Sequence, residues 1–143
     1  MSDKRPAAGS DIVPFHVPVD AEALADLRER LARTRWPDRE TVDGWDQGVP
    51  LDYLQALCRY WEQDYDWSAR AEAINQLPQF TTVLDGVRIH FVHAPSPEPH
   101  AVPLLITHGW PGSYLDFIDV VAPLSDPRAH GGDPADAFHV VCA

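Results

Sequence analysis

The chain has 143 residues, with 22 acidic and 11 basic side chains and a formal net charge of −11. This balance argues against a nucleic-acid partner, which requires a stripe rich in lysine and arginine, and no apolar run approaches the ~20 residues of a membrane span. The polar N-terminus lacks a signal-peptide core, and the cysteines Cys58 and Cys142 show no metal-binding spacing, so we predict a cytoplasmic chain without a metal site.

The first half of the chain shows the apolar period of α-helices. Asp20 is a favourable N-cap, and the leucine stripe that follows it predicts a helix that stops at Trp36-Pro37. A second helix is predicted from Leu51. Cys58 lies on its apolar stripe, which favours a core position over a reactive thiol. A third helix is predicted from about residue 67 to residue 77.

After Pro78 the pattern changes to the alternation that is typical of strands. Asp85-Gly86 is a strong hairpin signal, and the alternating residues after it predict a strand with one buried face. Residues 102–107 form an apolar run that predicts a buried strand. A helical pattern closed by Pro123 and Asp126-Pro127 follows, and 138–142 predicts a last strand. Because strand, helix and strand succeed one another, we expect a right-handed parallel crossover.

These patterns divide the chain into three parts. We predict a disordered tail at residues 1–11, a helical extension at 12–78 and the start of an α/β sheet at 79–143. The second half is therefore expected to be a hairpin, a strand, a helix and a strand, which begin a sheet without completing it.

The most distinctive short stretch is Thr-His-Gly-Trp-Pro-Gly at residues 107–112. In open α/β sheets, ligand sites form where strands end. Gly109 lets the backbone bend or approach a ligand closely, and Pro111 donates no N–H, so the Trp110 N–H is a natural single donor at this mouth. A donor preset toward developing negative charge is an oxyanion hole. The alternative is a tight turn in which Trp110 only packs.

The stretch THGWPGS resembles the His-Gly-X-Pro motif of α/β-hydrolases, in the form typical of epoxide hydrolases. Three upstream segments look like the N-terminal extension and first strands of microsomal-type epoxide hydrolases: PFHVPVDAEALADLRERLARTRWPD, GWDQGVPLDYLQALCRYWEQDYDW and LPQFTTVLDGVRIHFVHAPSP. The resemblance covers nearly everything from Ile12 to Cys142. It implies a helical N-terminal extension followed by the first strands (hairpin, strand, helix, strand) of an incomplete α/β-hydrolase sheet.

The resemblance also implies a reaction, the hydrolysis of an epoxide to a vicinal diol without a cofactor. In this family an aspartate on a nucleophile elbow opens the epoxide to an alkyl–enzyme ester, a histidine oriented by an acid activates water, and two lid tyrosines polarise the epoxide oxygen. Trp110 matches the position whose N–H stabilises the oxyanion and whose side chain lines the pocket. His108, Gly109 and Pro111 match the rest of the oxyanion loop. His108 would shape the loop and not act as the base, and the bond before Pro111 is often cis.

A nucleophile elbow requires Gly-x-Asp-x-Gly or Gly-x-Ser-x-Gly between a buried strand and a helix. Gly44-Trp45-Asp46-Gln47-Gly48 matches literally, but polar residues precede it and Pro50 follows, so we predict a connecting loop. Gly131-Gly132-Asp133-Pro134 fails because its proline has no N–H to donate. His90 and His93 point to opposite faces of one strand, which argues against a shared metal site.

The chain is therefore predicted to be the N-terminal part of an epoxide hydrolase, inactive alone because the nucleophile, acid and base are missing. A small-molecule epoxide is the expected partner of the completed protein. The open edge of the strand at 102–107 would be apolar and prone to pairing. One alternative is a non-catalytic interaction module, or fold remnant, that pairs this edge with a partner or a second copy. Another is a truncated relative, such as a haloalkane dehalogenase or a serine esterase.

Overall fold

A computed structural model describes residues 11–143, so nearly all of the predicted tail at 1–11 lies outside the described residues. The described chain forms two compact units. One is helical and comprises Val17–Ile74. The other comprises the segment up to His16 together with Asn75–Ala143. The sheet unit thus includes a short stretch that the sequence analysis assigned to the helical extension.

The helical unit contains the helices α1 (Ala21–Ala32), α2 (Leu51–Gln63) and α3 (Trp67–Ile74). The Asp20 carboxylate accepts the Glu22 N–H at 2.9 Å, which confirms the predicted N-cap. Helix α1 ends before the expected stop at Trp36-Pro37. The reason is that Thr34 donates both its N–H and its hydroxyl to the Leu31 carbonyl, at 3.1 and 2.8 Å, and so caps an earlier turn.

Helix α2 begins at Leu51, as predicted, but a distant residue caps it. Pro50 occupies the N-cap position and offers no side-chain hydrogen bond, so the Glu40 carboxylate accepts the Leu51 N–H at 3.0 Å. This hydrogen bond is the main reason that the pKa of Glu40 lies below its usual range. Neither α1 nor α2 has a fully buried side chain in the described structure, so Cys58 is half-buried and not part of a core.

The sheet unit is a five-stranded mixed sheet. Its strands are β1 (Val13–Pro14), β2 (Gln79–Leu84), β3 (Val87–Ala94), β4 (Val102–Ile106) and β5 (Phe138–Cys142). Their order in space is β1-β2-β3-β5-β4. Strands β4 and β5 run parallel, which confirms the predicted parallel pair, and the other neighbours are antiparallel. Strand β1 escaped prediction because two residues are too few to show alternation.

The hairpin between β2 and β3 turns at Asp85-Gly86, as predicted. Both residues have positive φ, 50° and 81°, which is the combination of a type I′ turn. Phe91 and Val92 are adjacent, so they point to opposite faces, yet both are buried. The prediction of one buried face is therefore wrong for this end of β3. Phe91 stacks on Phe80, with ring centroids 5.9 Å apart, while Val92 joins the core on the other face.

The core of the sheet unit includes one helix, α4 (Ile118–Ser125). The buried cluster consists of Val92, Val121, Val140 and Cys142. Pro123 lies inside α4, and the helix ends at Ser125, directly before Asp126-Pro127, the second of the two predicted stops. A proline removes only its own N–H, and the Asp126 N–H still bonds to the Ala122 carbonyl at 2.9 Å.

Strand β4 lies at an edge of the sheet and, among the described residues, pairs with β5 alone. Val102 and Leu105 are 57% and 67% exposed, so the prediction of a buried strand is wrong for the chain as described. The Val102 N–H donates to the Ala137 carbonyl, on the side of β4 that faces β5. Because successive backbone N–H groups of a strand point to opposite sides, the nitrogen of Pro103, which carries no hydrogen, lies on the unpaired side. No helix in residues 11–143 is long and apolar enough to cross a membrane.

Candidate active site

The turn at the end of β4 is closed by one short hydrogen bond. The Gly112 N–H donates to the Gly109 carbonyl at 2.7 Å, and the Trp110–Pro111 peptide bond between them is cis. A cis proline at the third position of a four-residue turn defines a type VI turn. The structure thus brings the predicted loop residues together in one compact turn.

Trp110 is the most exposed large apolar residue in the described chain, at 96%. It does not pack against the fold, so the alternative in which Trp110 only fills space is wrong for the chain as described. Within residues 11–143 no group accepts a hydrogen bond from the Trp110 N–H. The turn therefore presents a free backbone donor and a bare aromatic ring at the carboxyl end of a strand.

Two polar residues hold the turn from its C-terminal side. The Ser113 hydroxyl accepts the Leu115 N–H at 3.2 Å, and the Asp116 carboxylate accepts the Ser113 N–H at 3.2 Å, which together form a capping box. A Cβ at Gly112 would collide with the Asp116 carboxylate and come within 3.0 Å of the Gly109 carbonyl. Sequence reasoning missed Gly112 and Asp116, although the Ser-x-x-Asp spacing signals such a box.

His108 and Gly109 play different local parts. The His108 ring is exposed, and its Nδ1 lies 3.2 Å from the Gly109 carbonyl. Because a carbonyl only accepts, this contact requires a proton on Nδ1. Gly109 has no positive φ, and a Cβ there would meet nothing within 4 Å. The bend itself therefore does not require glycine in the described chain.

A buried polar cluster lies in the same unit as the turn. Gln79 is 3% exposed, and its Oε1 accepts the Tyr114 hydroxyl at 3.2 Å and lies 3.1 Å from His90 Nε2. The His90 ring contacts the rings of Tyr114 and Phe15, with centroids 4.7 and 5.0 Å away. Sequence reasoning missed this cluster because its members lie on separate elements and share no period. Burial holds the pKa of His90 below its usual value.

Acidification should destabilise the sheet unit through His90. Because burial lowers the folded-state pKa of His90, the unfolded chain binds the proton more readily. The stabilisation is complete above the ordinary histidine pKa and is lost as the pH falls through the lowered folded value. We expect the free energy of unfolding to decrease as the pH falls below the ordinary histidine pKa of about 6.5. Urea titrations of the parent and of His90→Asn check this, and an identical pH slope in both would contradict it.

The other candidates from the sequence have structural roles. Asp46 lies in an exposed loop between α1 and α2, where the Gly48 N–H bonds to the Trp45 carbonyl at 3.0 Å, so the prediction of a connecting loop is confirmed. His90 and His93 contact different rings from opposite faces. No group of three metal-binding side chains occurs within residues 11–143.

The second rejected elbow is also a loop. Gly131 has φ 78° and caps a 3-10 turn over Pro127–His130. The Asp133 carboxylate accepts the Ala135 N–H at 2.9 Å and starts another turn over Pro134–Asp136. Neither segment connects a strand directly to a helix, so within the described residues no elbow accompanies the Trp110 turn.

Comparisons with known proteins agree on one family. A model of the family described as "Epoxide hydrolase N terminus" matches residues 12–117. The protein named "Putative epoxide hydrolase" from Stigmatella aurantiaca (strain DW4/3-1) is 52% identical over 130 residues, which are 91% of this chain and 30% of that protein. "Epoxide hydrolase 1" of Sus scrofa is 35% identical over 144 residues, covering 96% of this chain and 32% of that protein.

Solved structures agree on the fold. The epoxide hydrolase of Aspergillus niger superposes with a TM-score of 0.77 at 26% identity, covering 96% of this chain and 36% of that one. The juvenile hormone epoxide hydrolase of the silkworm Bombyx mori gives a TM-score of 0.76 at 26% identity, covering 94% and 32%. The expected fold class, a helical extension followed by part of an α/β-hydrolase sheet, is confirmed. The chain spans about a third of the length of these relatives and belongs to the epoxide hydrolase family, of which it represents the N-terminal part.

Proposed function

We propose that this chain supplies the oxyanion loop for the hydrolysis of an epoxide to a vicinal diol. The observation that carries the proposal is the turn at the end of β4, in which Trp110 is 96% exposed and its N–H has no acceptor within the described chain. An unpaired backbone donor at a strand end stabilises negative charge that develops next to it. The turn needs no rearrangement to offer this donor, because Gly112, Ser113 and Asp116 already hold it.

The proposed reaction has two covalent steps. A carboxylate of the completed enzyme attacks an epoxide carbon, the carbon–oxygen bond of the ring breaks, and the released oxygen takes a proton from an acid. Water then gives one proton to a histidine base of the completed enzyme and attacks the carbonyl of the resulting ester, which forms a tetrahedral oxyanion. The Trp110 N–H donates to this oxyanion. Its collapse breaks the ester carbon–oxygen bond, the leaving oxygen takes the proton from the histidine, and the diol and the free carboxylate result. Water is the second substrate, so the reaction requires no cofactor.

The other loop residues have supporting roles in this proposal. Of the two neighbouring residues Trp110 and Pro111, only Trp110 has a backbone N–H that can donate, because proline lacks one. Gly109 keeps the backbone open to the substrate, and His108 shapes the loop through its contact with the Gly109 carbonyl and does not act as the base. The Trp110 ring forms part of the wall that contacts the epoxide substituent.

The chain alone should form no diol from an aryl epoxide above the uncatalysed background, because none of the carboxylates in residues 11–143 lies on an elbow. A chimera tests the positive half of the proposal, with this chain in place of the matching third of the Stigmatella aurantiaca relative. We expect diol formation by the chimera, with the unaltered relative as positive control. Asp46→Ala in the chimera is a matched control and should leave the rate unchanged. Turnover by the chain alone that disappears on Asp46→Ala would overturn the proposal.

The interaction module is the second candidate, and the open edge of β4 favours it. Val102 and Leu105 are exposed there, and the strand pairs on one side only among the described residues. In this proposal the edge binds a second copy of the chain. Size-exclusion chromatography at rising concentration should then show a dimer, whereas a stable monomer would contradict self-association. The match to an epoxide hydrolase family counts against a truncated dehalogenase or esterase. The cytoplasmic location remains a prediction.

A further inference from the structure

One buried polar side chain of the sheet unit has no part in the reaction described above. Gln79, the first residue of β2, is 3% exposed, whereas glutamine is mostly a surface residue. Its Oε1 accepts the Tyr114 hydroxyl at 3.2 Å and lies 3.1 Å from His90 Nε2, and its Nε2 donates to Asn75 Oδ1 at 3.4 Å. A buried amide is destabilising unless it is hydrogen-bonded, so these partners account for its presence.

The partners of Gln79 come from different elements, and they also contact one another. His90 lies on β3, and Tyr114 opens the 3-10 turn that continues into α4. Because the amide oxygen only accepts, His90 must carry its proton on Nε2. The two rings also touch, with centroids 4.7 Å apart. The amide oxygen of Gln79, on β2, therefore links β3 and the 3-10 turn that begins at Tyr114.

Tyr114 ties the C-terminal side of the Trp110 turn to the sheet, while its N-terminal side continues directly from β4. The other hydrogen bonds of the turn are internal: Gly112 to Gly109, the His108 contact and the capping box around Ser113. They hold the shape of the turn but do not link its C-terminal side to the strands. The Tyr114 hydroxyl bonds to β2, and the Cys142 thiol, 3.9 Å from the Tyr114 carbonyl, makes a weaker second link.

We propose that Gln79 is a positioning residue that sets the direction of the Trp110 N–H through Tyr114. The inference deepens the proposed function and rests on it, since the position of Trp110 matters for catalysis only if its N–H is the oxyanion donor. Gln79 itself touches neither substrate nor reacting atoms. Displacing a preorganised donor by a fraction of an ångström weakens its effect on the transition state more than on the bound substrate.

The first test is made on the 143-residue chain by NMR. Gln79→Leu removes the accepting oxygen at similar volume, and Tyr114→Phe removes only the hydroxyl. Both should shift the amide signals of Gly109 and Trp110. Both should also speed the exchange of the Gly112 amide about fivefold, the change expected when one ordinary hydrogen bond no longer holds the turn.

The matched control is Tyr60→Phe, which deletes a hydroxyl from an exposed tyrosine of α2 and should leave the turn signals unchanged. Equal shifts in the control would overturn the proposal, as would parent-like turn signals in Tyr114→Phe. If Gln79→Leu does not fold, Tyr114→Phe decides the question, since it leaves no cavity.

The second test separates positioning from stability and from the proposed function. In the chimera, Gln79→Leu and Tyr114→Phe should slow ester hydrolysis about tenfold and leave the rate of ester formation unchanged, because only the oxyanion contact of the second step is displaced. A change in KM alone would contradict the role. If the chimera and all its variants are inactive while the NMR signals of the turn respond as expected, the proposed function fails, and the tie between Gln79 and the turn stands.

Discussion

Replacing Trp110 with proline in the chimera is expected to slow ester hydrolysis by about 10²- to 10³-fold, the loss observed when one oxyanion donor is removed. The change removes the N–H and leaves the following Pro111 in place. Alanine at the same position keeps the N–H and removes only the ring. We therefore expect Trp110→Ala to raise KM and to leave the hydrolytic step close to the parent rate. Single-turnover kinetics that follow ester formation and ester decay separately check both results.

The contrast between the two variants carries the test. Trp110→Pro should accumulate the alkyl–enzyme ester, since its formation does not use the oxyanion donor. Equal hydrolytic rates in the proline and alanine variants would show that the backbone N–H has no role. Because Trp110 is 96% exposed in the described chain, neither change removes packing within that chain, and parent-like NMR signals outside residues 107–113 establish that its fold is intact.

Truncation of Phe91 should lower the free energy of unfolding of the sheet unit by about 3 to 5 kcal/mol, the range for a buried phenylalanine replaced by alanine. Phe91 is 8% exposed and stacks on Phe80, so its removal leaves a cavity beside the second ring. Urea denaturation followed by NMR signals of β2 and β3 measures the change in this unit. Following one unit is necessary, because two compact units need not unfold together.

Trp110→Ala is the matched control for Phe91→Ala, since it truncates a larger aromatic side chain that contacts solvent. Its effect on stability should stay within about 0.5 kcal/mol. If Phe91→Ala fails to fold, Phe91→Leu should still fold, with a loss below about 1.5 kcal/mol. A Phe91→Ala variant as stable as Trp110→Ala would contradict the assignment of Phe91 to the buried face.

Most elements of the fold follow from local signals. The Asp20 cap, the start of α2 at Leu51, the Asp85-Gly86 hairpin and the parallel pair β4–β5 were all predictable, because each depends on neighbouring residues or on a short period. One error is local, since Thr34 ends α1 early by donating to Leu31, three residues before it. The other lies where distant segments decide, because β4 is apolar in sequence but exposed at an edge.

The candidate site divides in the same way. The turn at 107–112 was predictable as a unit because Gly109, Trp110 and Pro111 are consecutive and restrict the backbone directly. The role of Gln79 was not predictable, because its burial depends on Tyr114, 35 residues away, and on β3 beside it. A single glutamine in a polar stretch carries no sign that it will be enclosed.

The sequence by itself determined the family, the existence of the Trp110 turn and the type of nearly every element, since these depend on motifs and on local backbone preferences. Tertiary structure alone decided that β1 joins the sheet, that Phe91 and Val92 are both buried, and that Trp110 is bare while Gln79 is enclosed. The physical reason is that burial and hydrogen-bond partners belong to surfaces formed by distant segments. No local pattern specifies which of those surfaces will meet.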